Sequence, residues 1–195
     1  MEASVGSLPQ LQGYGAISMA ANKKHKQQVI SDTLSNVRGI TRHIRNVQDN
    51  CILLGEKLIE QGEIEFGKTL IANGMKHDVS KFQGIEYEYM APLFAKVGAS
   101  ADEPKKLKLK IAIQHHNSTN YHHPEAWESI HEMPDVFIAE MVCDWKARSE
   151  EFGSSLRDFI SSTAMKRWEF TEEDQVYKLI MTYVDLLCER PFSQT

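Results

Sequence analysis

Between residues 40 and 58 the apolar side chains recur at steps of four and three: Ile40, Ile44, Val47, Cys51, Leu54 and Leu58. That spacing stacks them on one face of a helix and predicts a long amphipathic helix whose apolar stripe also carries His43. Further helices are expected at about 63–73, 84–97, 103–116, 134–150, 154–166 and 171–188. Gly62, Gly74, Gly98, Pro104, Pro124, Pro134 and Gly153 separate them, as residues that end or interrupt helices. "SSLRDF" and "TEED" read as helix starts, where a hydroxyl can cap free N–H groups and acidic side chains meet the positive end of the helix. Residues 1–22 hold three glycines and one proline without a sustained period, and read as a flexible N-terminal tail ahead of one folded domain over 23–195. No segment alternates β-branched and polar residues and no repeat emerges, so the expected fold is all-α.

Composition narrows the picture. A chain of 195 residues suits one domain, and at that size about 70% of the unfolded surface is buried on folding. The net charge of −5 supplies no field that would recruit nucleic acid broadly, so nucleic acid is not an expected partner. Cys51, Cys143 and Cys188 are odd in number and far apart, which argues against a disulfide framework or a thiolate zinc site and for a reducing, cytoplasmic setting. No apolar run approaches the roughly 18–20 residues of a membrane span, so no membrane association is expected.

"GEIEFGKT", Gly62 to Thr69, satisfies the written form of a phosphate-binding loop. The chemistry behind that form needs a strand, then a loop of bare N–H groups, then a helix, whereas "LLGEKLIEQ" before it reads as helix. Glu63 and Glu65 would also oppose the anion, so the segment reads as a junction between two helices with Lys68 in solvent.

Histidine is the informative residue type. Five of the eight histidines fall in "KHDVSKF" and "QHHNSTNYHHPEAW", and His43 is a sixth. Taken alone, His43 on an apolar stripe reads as a core histidine with one hydrogen bond. His77 beside Asp78 changes that, because divalent transition metals take neutral imidazole nitrogen together with carboxylate oxygen. Asp144 supplies a further carboxylate from "MPDVFIAEMVCDWKARS", on a helix face shared with Phe137 and Met141. An acid on an apolar face needs a cation or hydrogen bonds.

His43, then His77-Asp78 after 34 positions, then Asp144 after 66 more, resembles the H…HD…D pattern of the HD-domain superfamily of metal-dependent phosphohydrolases. The spacing is similar to that of bacterial HD-type 5′-deoxynucleotidases, and "HDVSKF" with "EMVCDW" resembles a group of small HD-like proteins of bacteria and phages. The similarity covers about residues 40 to 150. It implies an HD-like helical bundle around a central metal site, with His43, His77, Asp78 and Asp144 binding one divalent ion: Mn, Co, Ni, Zn or Fe. His116 with His122 or His123 could hold a second ion, as in the two-metal branch, or line the pocket. Lys81 matches a lysine that some HD phosphodiesterases carry after the pair to hold substrate phosphate. The resemblance also allows a homodimer.

The function this implies is hydrolysis of a phosphate ester of a nucleotide or another small phosphorylated metabolite by a metal-activated water. Asp78 would orient that water, and Lys81 with a later histidine such as His116 would neutralise the developing charge. One alternative is a two-iron HD-type oxygenase using the same ligands; another is a binding protein that recognises a ligand through the metal without turnover. The basic run Lys105 to Lys110 reads as a solvated face able to steer anions. Trp127, Trp145 and Trp168 read as core.

Overall fold

The computed structural model describes residues 13–94 and 103–188, with side chains over 22–91 and 104–188. Among the described residues the chain is all-helical, without a strand. The helices are α1 (Gly13–Glu60), α2 (Ile64–Gly74), α3 (Gly84–Phe94), α4 (Glu103–Thr119), α5 (Asp135–Phe152), α6 (Leu156–Phe159), α7 (Met165–Arg167) and α8 (Gln175–Cys188). A 3₁₀ turn over Val79–Phe82 follows α2, and a π-helical turn over Ile160–Ala164 joins α6 to α7. No helix among the described residues is long and apolar enough to cross a membrane.

The 48-residue α1 is the spine, about 72 Å long at 1.5 Å per residue. Its predicted stripe is buried in full, with Ile40, Val47, Cys51 and Leu54 sealed from solvent and Ile44 and Leu58 nearly so. The stripe packs on α2, α3, α5 and α8. Deeper in the bundle, Asn50 Nδ2 on α1 donates to the Cys143 carbonyl of α5 at 3.3 Å, fixing the register of α1 against the residue before Asp144. The tail reading for 1–22 needs correction in part. Residues 1–12 lie outside the described residues, but 13–22 are described as the first turns of α1, in keeping with the helix-favouring Ala, Lys and Gln residues around them.

One glycine of the rejected phosphate loop, Gly67, has a packing role instead, against Gly55 of α1. A Cβ on Gly67 would lie 2.5 Å from the Gly55 carbonyl oxygen, so this pair lets α1 and α2 approach backbone to backbone. Lys68 is exposed and pairs with Glu65 at 2.8 Å, one turn back on α2. Ser155 caps α6 by accepting the Asp158 N–H at 3.2 Å, as its sequence suggests. At "TEED" the helix starts later than expected, because Asp174 turns back to accept from Thr171 N–H at 2.6 Å and α8 begins only at Gln175. The helix expected over 84–97 is described only to Phe94, so its last residues lie outside the described residues.

Candidate metal centre

Asp78 is the hub. It sits in the turn after α2 with φ 54°, a left-handed backbone that aspartate tolerates better than most residues. The turn buries its carboxylate almost completely. One oxygen, Oδ2, lies 3.4 Å from His43 Nε2 and 3.2 Å from His77 Nε2, and pairs with Lys81 Nζ. The other, Oδ1, lies 3.2 Å from His116 Nε2 and 3.5 Å from His122 Nε2. Asp144 on α5 adds Oδ1 at 3.1 Å from His43 Nε2, and His123 brings Nε2 to 3.0 Å from that of His116. Two groups of donors therefore flank one carboxylate: His43, His77 and Asp144 on one side, and His116, His122 and His123 with Asp78 on the other. Within each group one ligand atom per residue lies within 4.8 Å of the rest, close enough to hold a metal ion.

Each of four inner imidazoles is held from behind by a carboxylate. His43 Nδ1 is 3.0 Å from Glu151 Oε1, His77 Nδ1 is 3.0 Å from Glu140 Oε1, and His116 Nδ1 is 2.8 Å from Glu86 Oε2. His122 Nδ1 approaches the same Glu140 oxygen at 3.4 Å. A carboxylate at Nδ1 favours the tautomer that carries its proton there, leaving the Nε2 lone pair for a cation and fixing the ring plane. By proximity alone Glu140 could also act as a donor with His77 and His122, but its oxygen is spent on their Nδ1 atoms, so we read it as the residue that orients both rings. Glu86 is itself anchored by Ser80 Oγ, which donates at 2.8 Å, and by the exposed His115 at 2.9 Å.

The chemistry of the pocket fits a cation. Nε2 of His77 and of His122, and Oδ1 of Asp78 and of Asp144, are buried and make no hydrogen bond. Orphaned atoms of this kind cost about 1–3 kcal/mol each, and all four belong to the two donor groups around Asp78. Charge is also asymmetric across the hub. Burial alone would lower the pKa of His43, but the neighbouring carboxylates of Asp144, Asp78 and Glu151 raise it to about 9. Burial opposes the charged form of His77 as well, and Asp78 with Glu140 overcomes it, to about 10. The carboxyls of Asp78 and Asp144 are held well below the usual range by the adjacent imidazoles, against the effect of burial. On the other side burial pushes His122 well below its ordinary value and His123 down to about 4, so those two rings are neutral.

All seven residues singled out as ligands in the sequence, His43, His77, Asp78, His116, His122, His123 and Asp144, come together here. Lys81, expected to hold phosphate, is buried beside them with its ammonium on Asp78. Sequence reading missed Glu86, Glu140 and Glu151. Glu140 and Glu151 lie four before and seven after Asp144, on the same side of α5, so a helical-face count from Asp144 could have found them. Nothing in the sequence marks Glu86. Trp145 is core as expected, whereas Trp168 is half-buried and both also wall a cavity.

The model of a family of unknown function (DUF5662) matches residues 32–186 of this chain. No curated protein and no solved structure matches it. The chain belongs to the DUF5662 family.

Proposed function

Starting from membership of a family without an assigned activity, we propose that the chain is a metal-dependent phosphohydrolase acting on a small phosphorylated substrate, built on an HD-like constellation with two divalent ions. His43, His77 and Asp144 would hold one ion, His116, His122 and His123 the other, with one oxygen of Asp78 turned to each. When bound, such ions supply Lewis acidity to a phosphoryl oxygen and lower the pKa of water toward neutrality. The protein's own groups do the rest. Glu86, Glu140 and Glu151 fix the ring planes, Lys81 places its side-chain nitrogen beside Asp78 where it can meet a phosphoryl group, and the buried walls exclude bulk water. His116, whose place in the sequence also suits a charge-neutralising catalytic role, fits a ligand role better, since its Nε2 faces Asp78 and its Nδ1 faces Glu86. Three free cysteines without a partner bridge suit a reducing cytoplasm.

The observation that carries this reading is the convergence of buried, hydrogen-bond-orphaned Nε2 and carboxylate oxygen atoms on both sides of Asp78. Elemental analysis of untagged protein, followed by a screen of phosphate esters with the metal found, tests it. The expected result is about two divalent ions per chain and hydrolysis that Asp78→Asn abolishes; full turnover in that variant would sink the proposal. A second reading rests on the same donor set. Nitrogen and oxygen ligands in two groups sharing a carboxylate also suit two irons, and iron content with an oxygen-dependent colour change and no ester hydrolysis would select the oxygenase.

A further inference from the structure

A cavity of about 380 Å³ lies between α4, α5 and the α6–α7 segment, and His123, one of the proposed metal-holding residues, forms part of its lining. That volume is near the low end of small-molecule sites, about 300–1,000 Å³. Its walls are aromatic and its charges are positive. Trp168 stacks on Trp145 at 5.2 Å with 14° between the planes, and the Arg167 guanidinium lies 4.6 Å from the Trp168 ring centre. Arg148 lies 5.6 Å from the centre of Phe152, which is 65% exposed where α5 ends. Two further observations mark the wall. The Trp168 indole N–H is buried and makes no hydrogen bond, a donor without an acceptor. The segment that carries Trp168 contains the π-helical turn at Ile160–Ala164 and is followed by Glu169 at φ 54°, irregularities that concentrate at functional sites.

Arg148 also links the cavity to the hub. It donates to Glu151 Oε2 at 3.2 Å while the other oxygen of that carboxylate holds His43. A ligand here would thus meet aromatic side chains, the guanidinium groups of Arg148 and Arg167, which also pair with Glu151 and Glu125, and the imidazole of His123.

We infer that this cavity is the specificity subsite of the same centre and selects phosphate esters that carry a flat aromatic ring, over sugar phosphates and other esters without one. The inference rests on the phosphohydrolase reading for the location of the phosphoryl group, and on the cavity alone for the ring. The ring lies against Phe152 and the exposed edge of Trp168. The phosphoryl end passes Arg148 toward His123. The volume admits one ring system with a sugar-sized spacer and not a polynucleotide.

Calorimetric titration of the metal-loaded full chain with adenosine 5′-monophosphate, phenyl phosphate and ribose 5-phosphate provides the test. Both ring-bearing esters should bind at least tenfold tighter than ribose 5-phosphate. Phe152→Ala should remove most of that gap while leaving ribose 5-phosphate binding and metal content unchanged, and Phe152→Tyr should retain it. Phe152 is solvent-facing, so folding is not at stake in either variant. Equal affinity for ribose 5-phosphate and the ring-bearing esters, or a gap that survives Phe152→Ala, overturns the inference. Turnover of the same esters reports separately on the centre: a ring preference without hydrolysis keeps the subsite and removes the phosphohydrolase, and hydrolysis without a ring preference does the reverse.

Discussion

Glu140→Gln is the perturbation that separates a metal centre from a coincidental cluster. Glu140 touches no candidate ion in the arrangement described, yet one of its oxygens stands behind His77 at 3.0 Å and behind His122 at 3.4 Å, one ring from each donor group. Loss of such a partner costs about 10–100-fold in metal affinity, or about 1.4–2.8 kcal/mol per ion at 1.4 kcal/mol per decade. Because both groups lose an oriented ring, the two binding constants should fall together, and their product should drop by about 10²–10⁴. Glutamine conserves volume and can still accept from one Nδ1, so the helix and its packing should survive. Competition with a chromophoric chelator at neutral pH measures the affinities, and circular dichroism of the metal-free protein checks the fold. The exposed Glu128→Gln serves as the control. Metal affinity in Glu140→Gln equal to that control would refute the claim that this carboxylate orients ligands, and with it the division of the histidines into two groups.

Other expectations follow from the same geometry. His43 and His77 have pKa values raised to about 9 and about 10 in the metal-free chain, above the ordinary 6.5; their contribution to stability is therefore complete below pH 6.5 and is lost as pH rises through 9 to 10, so the apoprotein should melt progressively lower across that window. Metal must displace those two protons near pH 7.5 while His122 and His123 have none to give, so calorimetry in buffers of different ionisation enthalpy should show release of about two protons per loaded chain, and buffer-independent heats would contradict it. Gly67→Ala should lower stability by about 1–3 kcal/mol through overpacking, since its Cβ would stand 2.5 Å from the Gly55 oxygen and 2.7 Å from Ile59 Cγ1, and a shifted urea midpoint with unchanged metal content is the readout. Lys68→Ala should leave metal content, nucleotide binding and turnover unchanged, because Lys68 lies exposed on α2 in a surface pair with Glu65; reduced nucleotide binding would revive the phosphate-loop reading.

The helices were legible because burial enforces a period: every residue of the stripe from Ile40 to Leu58 is in the core, and the caps at Ser155 and Gly153 follow local hydrogen-bonding rules. Boundaries slipped where a side chain changed the local geometry, as Asp174 does by accepting from Thr171 and delaying α8. The first turns of α1 were missed for the opposite reason: residues with helical propensity but no apolar period leave only a weak signal. The residues that gather around Asp78 were readable from residue type and order, since imidazole and carboxylate together on an apolar face demand a partner. The carboxylates behind them were not, because Glu86, Glu140 and Glu151 look in sequence like any glutamate on a helix, and only three-dimensional contact with Nδ1 distinguishes them. The cavity was equally hidden, since its walls come from α4, α5 and a segment some twenty residues further on.

The proposed function depends on cations lying on the two sides of Asp78, one toward His77 and the other toward His116. Anomalous diffraction from crystals of the full chain grown with manganese tests this directly. The predicted result is a peak on each side of Asp78, one within bonding distance of His43, His77 and Asp144 and the other of His116, His122 and His123. Density in which those Nε2 atoms bond only to one another, to Asp78 or to water, with the manganese signal elsewhere or absent, would contradict it.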